Sequence, residues 1–206
     1  MIEEEIAGYY SHSFQQYGRQ PRGVDWKDDA AQQRRFEALT QHIPVNMPGT
    51  VLDFGCGYGA LFSFLTKKGY EIEYHGFDIA KDVLAATKSY YSDAKNAQFH
   101  TSLPENLRVQ YAVLNGVFHV KLHQETNAWE QHVLATLQRL LPYVTTSLSI
   151  NFLSLKSDPE KRKGTLFYAH PVKFTKTVRS RLGCQVTMVE HPDLYEFVMN
   201  LRPKDK

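Results

Sequence analysis

The sequence feature that most constrains the fold is the stretch at residues 51–62, which reads VLDFGCGYGALF. An apolar strand runs into glycines at positions 55, 57 and 59, and helix-forming residues follow at once. Because glycine has no Cβ, such a turn can adopt positive φ and a ligand can lie against its backbone amides. The N-terminus of the following helix adds unpaired N–H groups and a partial positive charge. The stretch is therefore typical of a mononucleotide or dinucleotide site in an α/β fold.

Two carboxylates end the first two predicted strands. Asp53 stands two residues before Gly55, where a carboxylate would repel a pyrophosphate and would suit a cationic ligand. Asp78 ends the strand predicted at 71–77 and can accept hydrogen bonds from two ribose hydroxyls. The two residues are about 25 positions apart, near the roughly 20 expected within one βαβ unit. Together they disfavour a dinucleotide and favour a cationic ligand that carries a ribose.

These residues resemble the first two motifs of class I S-adenosylmethionine-dependent methyltransferases. The segments YYS at 9–11, GVDW at 23–26 and RF at 35–36 are similar to a group of small bacterial methyltransferases that share an N-terminal arm. The resemblance implies S-adenosyl-L-methionine as cofactor and S-adenosyl-L-homocysteine as product. It also implies a seven-stranded Rossmann-like sheet of order 3-2-1-4-5-7-6, flanked by helices, with an antiparallel last strand.

Beyond the glycine turn, the apolar pattern alternates between strands and helices, as an α/β fold requires. We expect helices near 28–42, 59–68, 81–93, 127–140 and 171–182, and strands near 71–77, 97–100, 109–115, 146–153, 184–190 and 194–201. The last two strands are so close in sequence that they must pair as a hairpin. The length of 206 residues predicts a single domain over 1–206, with a helical arm or lid at 1–45 and a Rossmann-like core at 46–206.

Composition narrows the class of partner. The net charge of +2 gives no global basic field, so a nucleic-acid partner is disfavoured. The two cysteines have no metal-ligand spacing, and no metal is expected. An acidic start and the lack of a long apolar run predict a cytoplasmic protein with no membrane partner. Whether it acts as a monomer or a homodimer stays open.

The resemblance predicts a set of cofactor contacts at the glycine turn and the strand ends. Arg35 can grip the methionine carboxylate through two parallel hydrogen bonds, and Trp26 lies on the preceding loop. Asn115 ends the fourth strand and, with His119, is expected to face the sulfonium. The full cofactor set is Trp26, Arg35, Asp53, Gly55, Cys56, Gly57, Asp78, Ile79, Asn115 and Gly116.

Aromatic residues are expected on the acceptor side. Tyr9, Tyr10 and Phe14 form one face of an N-terminal helix, which is either an ordinary outer helix or a lid over cofactor and substrate. Phe118 and Tyr168 are also expected to contact the acceptor substrate, at the ligand-binding edge of the sheet.

His119 is predicted to be the catalytic base, with His170 and Tyr168 next in line, because an imidazole can take a proton at neutral pH. The alternative is that His119 is a hydrogen-bonded structural histidine.

The favoured function is methyl transfer to oxygen or nitrogen of a small molecule by in-line displacement. An aromatic N-terminal lid would close a pocket around such a molecule, whereas a macromolecular substrate would need an open basic groove. Methylation of a protein or RNA is the first alternative, and clustering of Lys156, Lys161, Arg162 and Lys163 beside the pocket would favour it. A non-catalytic S-adenosylmethionine-binding module is the second, although Asp53, Asp78 and the three glycines are all present. A nicotinamide-dependent dehydrogenase is disfavoured by Asp53 and Ala60.

Overall fold

The computed structural model describes residues 2–204 of the chain. The helices are α1 (Ile2–Tyr17), α2 (Asp29–Thr40), α3 (Ala60–Lys67), α4 (Lys81–Tyr90), α5 (Thr126–Leu140) and α6 (Pro171–Leu182). The strands are β1 (Gly49–Phe54), β2 (Ile72–Phe77), β3 (Ala97–His100), β4 (Val109–Leu114), β5 (Val144–Ser154), β6 (Tyr168–Ala169), β7 (Gln185–His191) and β8 (Glu196–Arg202). Every element predicted from periodicity is present, with ends shifted by a few residues.

The strands form one mixed sheet in the order β3-β2-β1-β4-β5-β8-β7. Strands β1, β2 and β3 are parallel, whereas β8 runs antiparallel to both β5 and β7. The Rossmann-like order and the antiparallel last strand are thus confirmed. All seven predicted strands lie in this sheet, and an eighth strand that was not predicted, β6, pairs with the end of β5. A two-residue strand is too short to show the alternation from which strands are predicted.

The chain divides into two compact units at Val109 and Gln110. In the first unit, helix α2 begins at Asp28, whose carboxylate accepts a hydrogen bond from the Ala31 amide at 2.7 Å. Strands β1 and β2 are in register with Asp53 opposite Gly76. Apolar side chains of the strands and of α3 and α4 form the core, among them Val51, Leu52, Leu61, Leu65, Tyr74, Val83 and Leu84.

The second unit is built on the β5–β8 pairing. Helix α6 has Pro171 in its first turn and ends at Gly183, which has φ of 62°. The core contains a chain of stacked and edge-on aromatic rings, formed by Phe118, Trp129, Phe152, Phe167, Phe174 and Phe197. That the chain acts as a single domain over 1–206 stays a prediction. Among the described residues, no helix combines the length and apolar character needed to cross a bilayer.

Candidate functional site

The glycine turn has the backbone geometry that its sequence predicts. Gly55, Gly57 and Gly59 all have positive φ, at 84°, 50° and 77°. The amides of Gly55 and Cys56 both donate to the Phe77 carbonyl, at 2.7 and 2.9 Å, which ties the turn to the end of β2. A side chain at position 57 would be strained by its φ and would also lie 2.9 Å from Cγ1 of Val24. Position 57 therefore has room for backbone only.

Asp78 joins the end of β2 to the glycine turn. Its Oδ2 accepts from the Gly57 amide at 2.8 Å, and its Oδ1 accepts from the Ala80 amide at 2.9 Å. Burial raises the pKa of this carboxyl, and the backbone hydrogen bonds oppose that rise. The Ile79 backbone amide also donates to this carboxyl, so three of its roughly four lone-pair sites are engaged and one remains for a ribose hydroxyl.

Asp53 is a buried carboxyl with one hydroxyl partner. The Tyr74 hydroxyl donates to its Oδ2 at 2.5 Å, and Asp53 is 3% exposed. Burial, with a smaller contribution from the charge of Asp78, raises the pKa of Asp53 to about 7, although the Tyr74 hydrogen bond lowers it. A cation placed beside this carboxyl would stabilise its ionised form and lower its pKa.

The N-terminal arm lies against this part of the first unit. Ser11 donates to Oδ1 of Asp82 on α4 at 2.6 Å, and the Arg19 guanidinium lies 3.5 Å from the ring centroid of Tyr90. Arg19 also donates to the Tyr58 carbonyl in the glycine turn at 2.7 Å. The arm is therefore anchored on both α4 and the turn.

The three aromatic residues predicted on the arm have different surroundings. The Tyr9 hydroxyl donates to Oδ2 of Asp25 at 2.9 Å. Burial raises the pKa of Tyr10, and the charges of Asp25 and Asp78 raise it further. The side chain of Phe14 lies beside the tight backbone at Gly23. Of these three residues, Tyr10 is the one whose pKa is raised by the charge of Asp78.

Four other predicted cofactor residues lie in the first unit. Trp26 and Arg35 lie together, with the guanidinium 4.6 Å from the indole ring and Nη1 donating to the Ala31 carbonyl at 2.8 Å. Cys56 is buried at the end of β1, and burial raises the pKa of its thiol well above the usual value. The backbone of Ile79 contributes a hydrogen bond that lowers the pKa of Asp78.

In the second unit, Asn115 and Gly116 share one polar partner. Gly116 has φ of 72°, and its amide donates to Oδ1 of Asn151 at 2.7 Å. Nδ2 of Asn151 donates to Oδ1 of Asn115 at 3.2 Å and to Oε2 of Glu196 at 2.7 Å. The turn after β4 is therefore held from β5.

The residues predicted on the acceptor side differ in exposure. Phe118 is 1% exposed, and its carbonyl accepts from the Trp129 indole at 3.0 Å. His119 is buried, and its carbonyl accepts from the Phe167 amide at 2.8 Å. Tyr168 is half-buried, and its hydroxyl accepts from the Lys163 amide at 3.1 Å. Their roles toward a substrate stay predictions.

Several residues that support these groups were missed by sequence reasoning. Tyr74 holds Asp53, and the Thr87 hydroxyl donates to the Gly57 carbonyl at 2.9 Å. Asn151 and Glu196 hold the turn after β4. Only the strand register could have indicated Tyr74, since Gly76 lies opposite Asp53 and Tyr74 is on the same face of β2.

The sheet order, the glycine turn and the two carboxylates define a class I S-adenosylmethionine-dependent methyltransferase, and this chain belongs to that family. Residues 51–142 match the family described as a methyltransferase domain. Rv1506c of Mycobacterium tuberculosis, which carries the provisional name of a methyltransferase, is 30% identical over 155 residues, 75% of this chain and 93% of the relative. The chain is thus a methyltransferase with S-adenosylmethionine as its cofactor.

Solved structures share the fold at low identity. Magnesium protoporphyrin IX methyltransferase from Synechocystis PCC 6803, with bound S-adenosylhomocysteine, aligns with a TM-score of 0.71 at 16% identity, covering 98% of this chain and 100% of that one. The 1,6-didemethyltoxoflavin-N1-methyltransferase of Burkholderia thailandensis aligns with a TM-score of 0.65 at 19% identity, covering 100% of this chain and 91% of that one.

Proposed function

We propose that this methyltransferase acts on a small-molecule acceptor, at oxygen or nitrogen, beneath its N-terminal arm. The observation that carries the proposal is the anchoring of α1 against α4 and the glycine turn, with Tyr10 within electrostatic reach of Asp78. An arm in this position favours a closed pocket over an open groove. The two similar structures are also named for small molecules, magnesium protoporphyrin IX and 1,6-didemethyltoxoflavin.

The residues of the first unit fit the cofactor. Asp78 would accept from the ribose at the lone pair that the Gly57, Ala80 and Ile79 amides leave. Asp53 would lie on the cationic side, because its raised pKa makes a nearby positive charge favourable. Gly55 and Gly57 would let the cofactor approach the backbone. Trp26, Arg35, Cys56 and Ile79 complete the proposed contacts of this unit. Asn115 and Gly116, in the second unit, stay predicted cofactor residues.

When bound, S-adenosylmethionine supplies a methyl group carried on a sulfonium sulfur. The chain must then hold the acceptor atom in line with the methyl carbon and exclude water, which can supply up to about 7–11 kcal/mol of the barrier. Tyr9, Tyr10 and Phe14 of the arm would help to exclude water. In the second unit, Phe118 and Tyr168 stay predicted acceptor-side residues, and the Phe118 ring is buried among the core rings. If the acceptor is a hydroxyl, His119 would remove its proton, whereas a neutral amine needs no base.

The basic loop after β5 gives little support to a protein or RNA substrate. Lys156 pairs with Glu190 at 2.6 Å, and Lys161 lies 3.6 Å from Asp158. The Arg162 guanidinium donates to the carbonyls of Leu155 and Ser157. These three cations are engaged within the loop and with β7, so they are poorly placed to attract a polyanion. We also propose a cytoplasmic location, and both a monomer and a homodimer are compatible with the proposed function.

Calorimetry and a labelling experiment test the proposal. We expect S-adenosylhomocysteine to bind and NAD not to bind, and binding of NAD alone would overturn it. The second experiment uses three separate reactions, each containing the protein and tritiated cofactor. The first reaction receives small metabolites from a bacterial extract, the second its total RNA and the third its total protein. Label in the small-metabolite fraction supports the proposal. Label confined to RNA or to protein would replace it by the corresponding macromolecular substrate.

A further inference from the structure

Side-chain donors hold three consecutive carbonyls of the glycine turn, those of residues 57–59. The first and the third accept hydrogen bonds from the hydroxyls of Thr87 and Tyr91, at 2.9 and 3.0 Å. The middle one, the Tyr58 carbonyl, accepts from Nη1 of Arg19 at 2.7 Å. The C=O and the N–H of one planar trans peptide unit point in opposite directions. The three donors therefore direct the N–H groups of these peptide units to the opposite side of the turn.

Arg19 is the one of these donors that the N-terminal arm supplies. It follows α1, whereas Thr87 lies on α4 and Tyr91 directly after it. Within residues 2–204, no other group donates to the Tyr58 carbonyl. Tyr58 is buried, and a buried carbonyl that loses its donor carries the cost of its desolvation. Movement of the arm away from the turn would therefore destabilise this conformation of the Tyr58 peptide.

Aromatic rings hold the Arg19 guanidinium in this place. Its central carbon lies 3.5 Å from the ring centroid of Tyr90, 5.1 Å from that of Tyr91 and 5.6 Å from that of Tyr58. The rings of Tyr90 and Tyr91 are nearly perpendicular, with an interplanar angle of 86°. All three distances lie within the range of a cation–π interaction, and a guanidinium stacks well because it is weakly hydrated. These three rings, the tyrosine cage, therefore fix the cation that donates to the turn.

We infer that Arg19 is a positioning residue that couples the N-terminal arm to the cofactor, because it holds the Tyr58 peptide in the binding conformation only while the arm is docked. This rests on the proposed contact of the glycine turn with the cofactor. A cofactor that binds this conformation favours the docked arm, and the docked arm favours the cofactor by the same factor, since such coupling is reciprocal. The arm thus raises cofactor affinity through a side chain that need not contact the cofactor.

Calorimetry with S-adenosylhomocysteine tests the role of Arg19. Arg19→Gln removes both the charge-assisted hydrogen bond and the stacked cation, so the turn loses its link to the arm. We expect this variant to bind S-adenosylhomocysteine about five- to tenfold more weakly than wild type. Arg22→Gln is the matched control, because Arg22 is an exposed cation of the same segment. Its affinity should stay within about twofold of wild type.

Two substitutions at Tyr90 test the tyrosine cage. Tyr90 is 64% exposed, so neither substitution disturbs the core. Tyr90→Leu removes the ring face beneath the guanidinium and should weaken S-adenosylhomocysteine binding by about three- to fivefold. Tyr90→Phe keeps that face and should bind like wild type. In the Arg19→Gln background, Tyr90→Leu should have no further effect, because the cation that the ring holds is already absent.

Hydrogen exchange separates coupling from simple anchoring of the arm. In wild type, S-adenosylhomocysteine should slow the exchange of residues 8–17. In Arg19→Gln, saturating ligand should no longer slow exchange in this segment, whereas Arg22→Gln should respond like wild type. If Arg19 only anchored the arm, the variant would exchange faster without ligand but would still be slowed by it.

Three outcomes would overturn the inference alone. The first is a folded Arg19→Gln variant with unchanged affinity, and the second is one whose arm is still slowed by ligand. The third is an effect of Tyr90→Leu that is equal with and without Arg19. Melting temperatures identify a variant that fails to fold, and the exposed Tyr90 pair then decides the test. A wild-type protein that does not bind S-adenosylhomocysteine would instead contradict the proposed function, and this inference with it.

Discussion

The Tyr74 hydroxyl donates a hydrogen bond to Oδ2 of Asp53 at 2.5 Å, and both side chains are buried. The bond stabilises the ionised carboxylate, yet burial outweighs it and the pKa of Asp53 rises to about 7. Asp53 is therefore about half ionised near neutral pH. A cationic ligand would complete its ionisation, which couples ligand binding to pH.

Binding of S-adenosylhomocysteine should depend on pH through Asp53. With a pKa of about 7, roughly one tenth of Asp53 is ionised at pH 6 and nine tenths at pH 8. The ligand's ammonium group favours the ionised form, so affinity should rise by up to about tenfold across this range. Calorimetry at several pH values should show the rise in wild type and a flat profile in Asp53→Asn. An equal rise in both proteins would assign the pH dependence to another group.

The same residue should affect stability without ligand. The pKa of Asp53 is about 7 when folded and near 3.8 when unfolded, so the folded state holds the proton more tightly. Its contribution to unfolding free energy is then lost as pH rises from about 4 to 7, on the order of a few kcal/mol. Asp53→Asn should melt at a higher temperature than wild type at pH 8 and near wild type at pH 4. A variant less stable at pH 8 would contradict this account.

Tyr74→Phe should shift the pH profile upward. The substitution removes the one hydrogen bond that lowers the pKa of Asp53, so the carboxyl should ionise only at higher pH. The midpoint of the rise in S-adenosylhomocysteine affinity should move above that of wild type. Tyr70→Phe, on the loop before β2, is the control and should leave the midpoint in place. An unchanged midpoint in a folded Tyr74→Phe would show that the hydroxyl does not govern Asp53.

The sequence predicted the groups that lie in one local motif and missed those that reach them from a distance. Asp53, the three glycines and Asp78 are visible because a strand, a turn and the next strand place them in a fixed order. Tyr74 looks like any buried aromatic residue until the register sets it beside Asp53. Asn151 and Glu196 bond across strands 45 positions apart, which no periodicity reveals. Phe118 was predicted on the acceptor side, and the packing of its ring against Trp129 and Phe152 depends on tertiary contacts that the sequence pattern does not show.

Asp78→Ala should weaken cofactor binding. Each hydrogen bond lost from a charged acceptor costs about 1.5–3 kcal/mol, so S-adenosylhomocysteine affinity should fall by about tenfold or more. The variant also leaves the Gly57 and Ala80 amides without this acceptor, so its melting temperature must be measured as well. Asp93→Asn, an exposed acidic residue of the same unit, should change neither quantity. A folded Asp78→Ala with unchanged affinity would remove Asp78 from the site.

The arm should become more protected when cofactor binds. If α1 is a lid, hydrogen exchange of residues 8–17 should slow on addition of S-adenosylhomocysteine. Asp82→Asn weakens its bonds to Ser11 and Gln15 and should speed exchange in the ligand-free protein. Deleting residues 1–20 should lower activity more than stability. Exchange that is identical with and without ligand would make α1 an ordinary outer helix.

His119→Ala should lower the maximal rate by about 100-fold if the acceptor is a hydroxyl, since a base acts in the transition state. Affinity for S-adenosylhomocysteine should stay at the wild-type value. If the acceptor is an amine that is neutral at pH 7, the variant should be nearly as active as wild type. His170→Ala is the matched comparison, because its Nδ1 lies 3.5 Å from the Lys173 amide at the start of α6. Equal losses of rate and cofactor affinity in His119→Ala would mean that this buried histidine serves packing, and the base would then be sought at His170 or Tyr168.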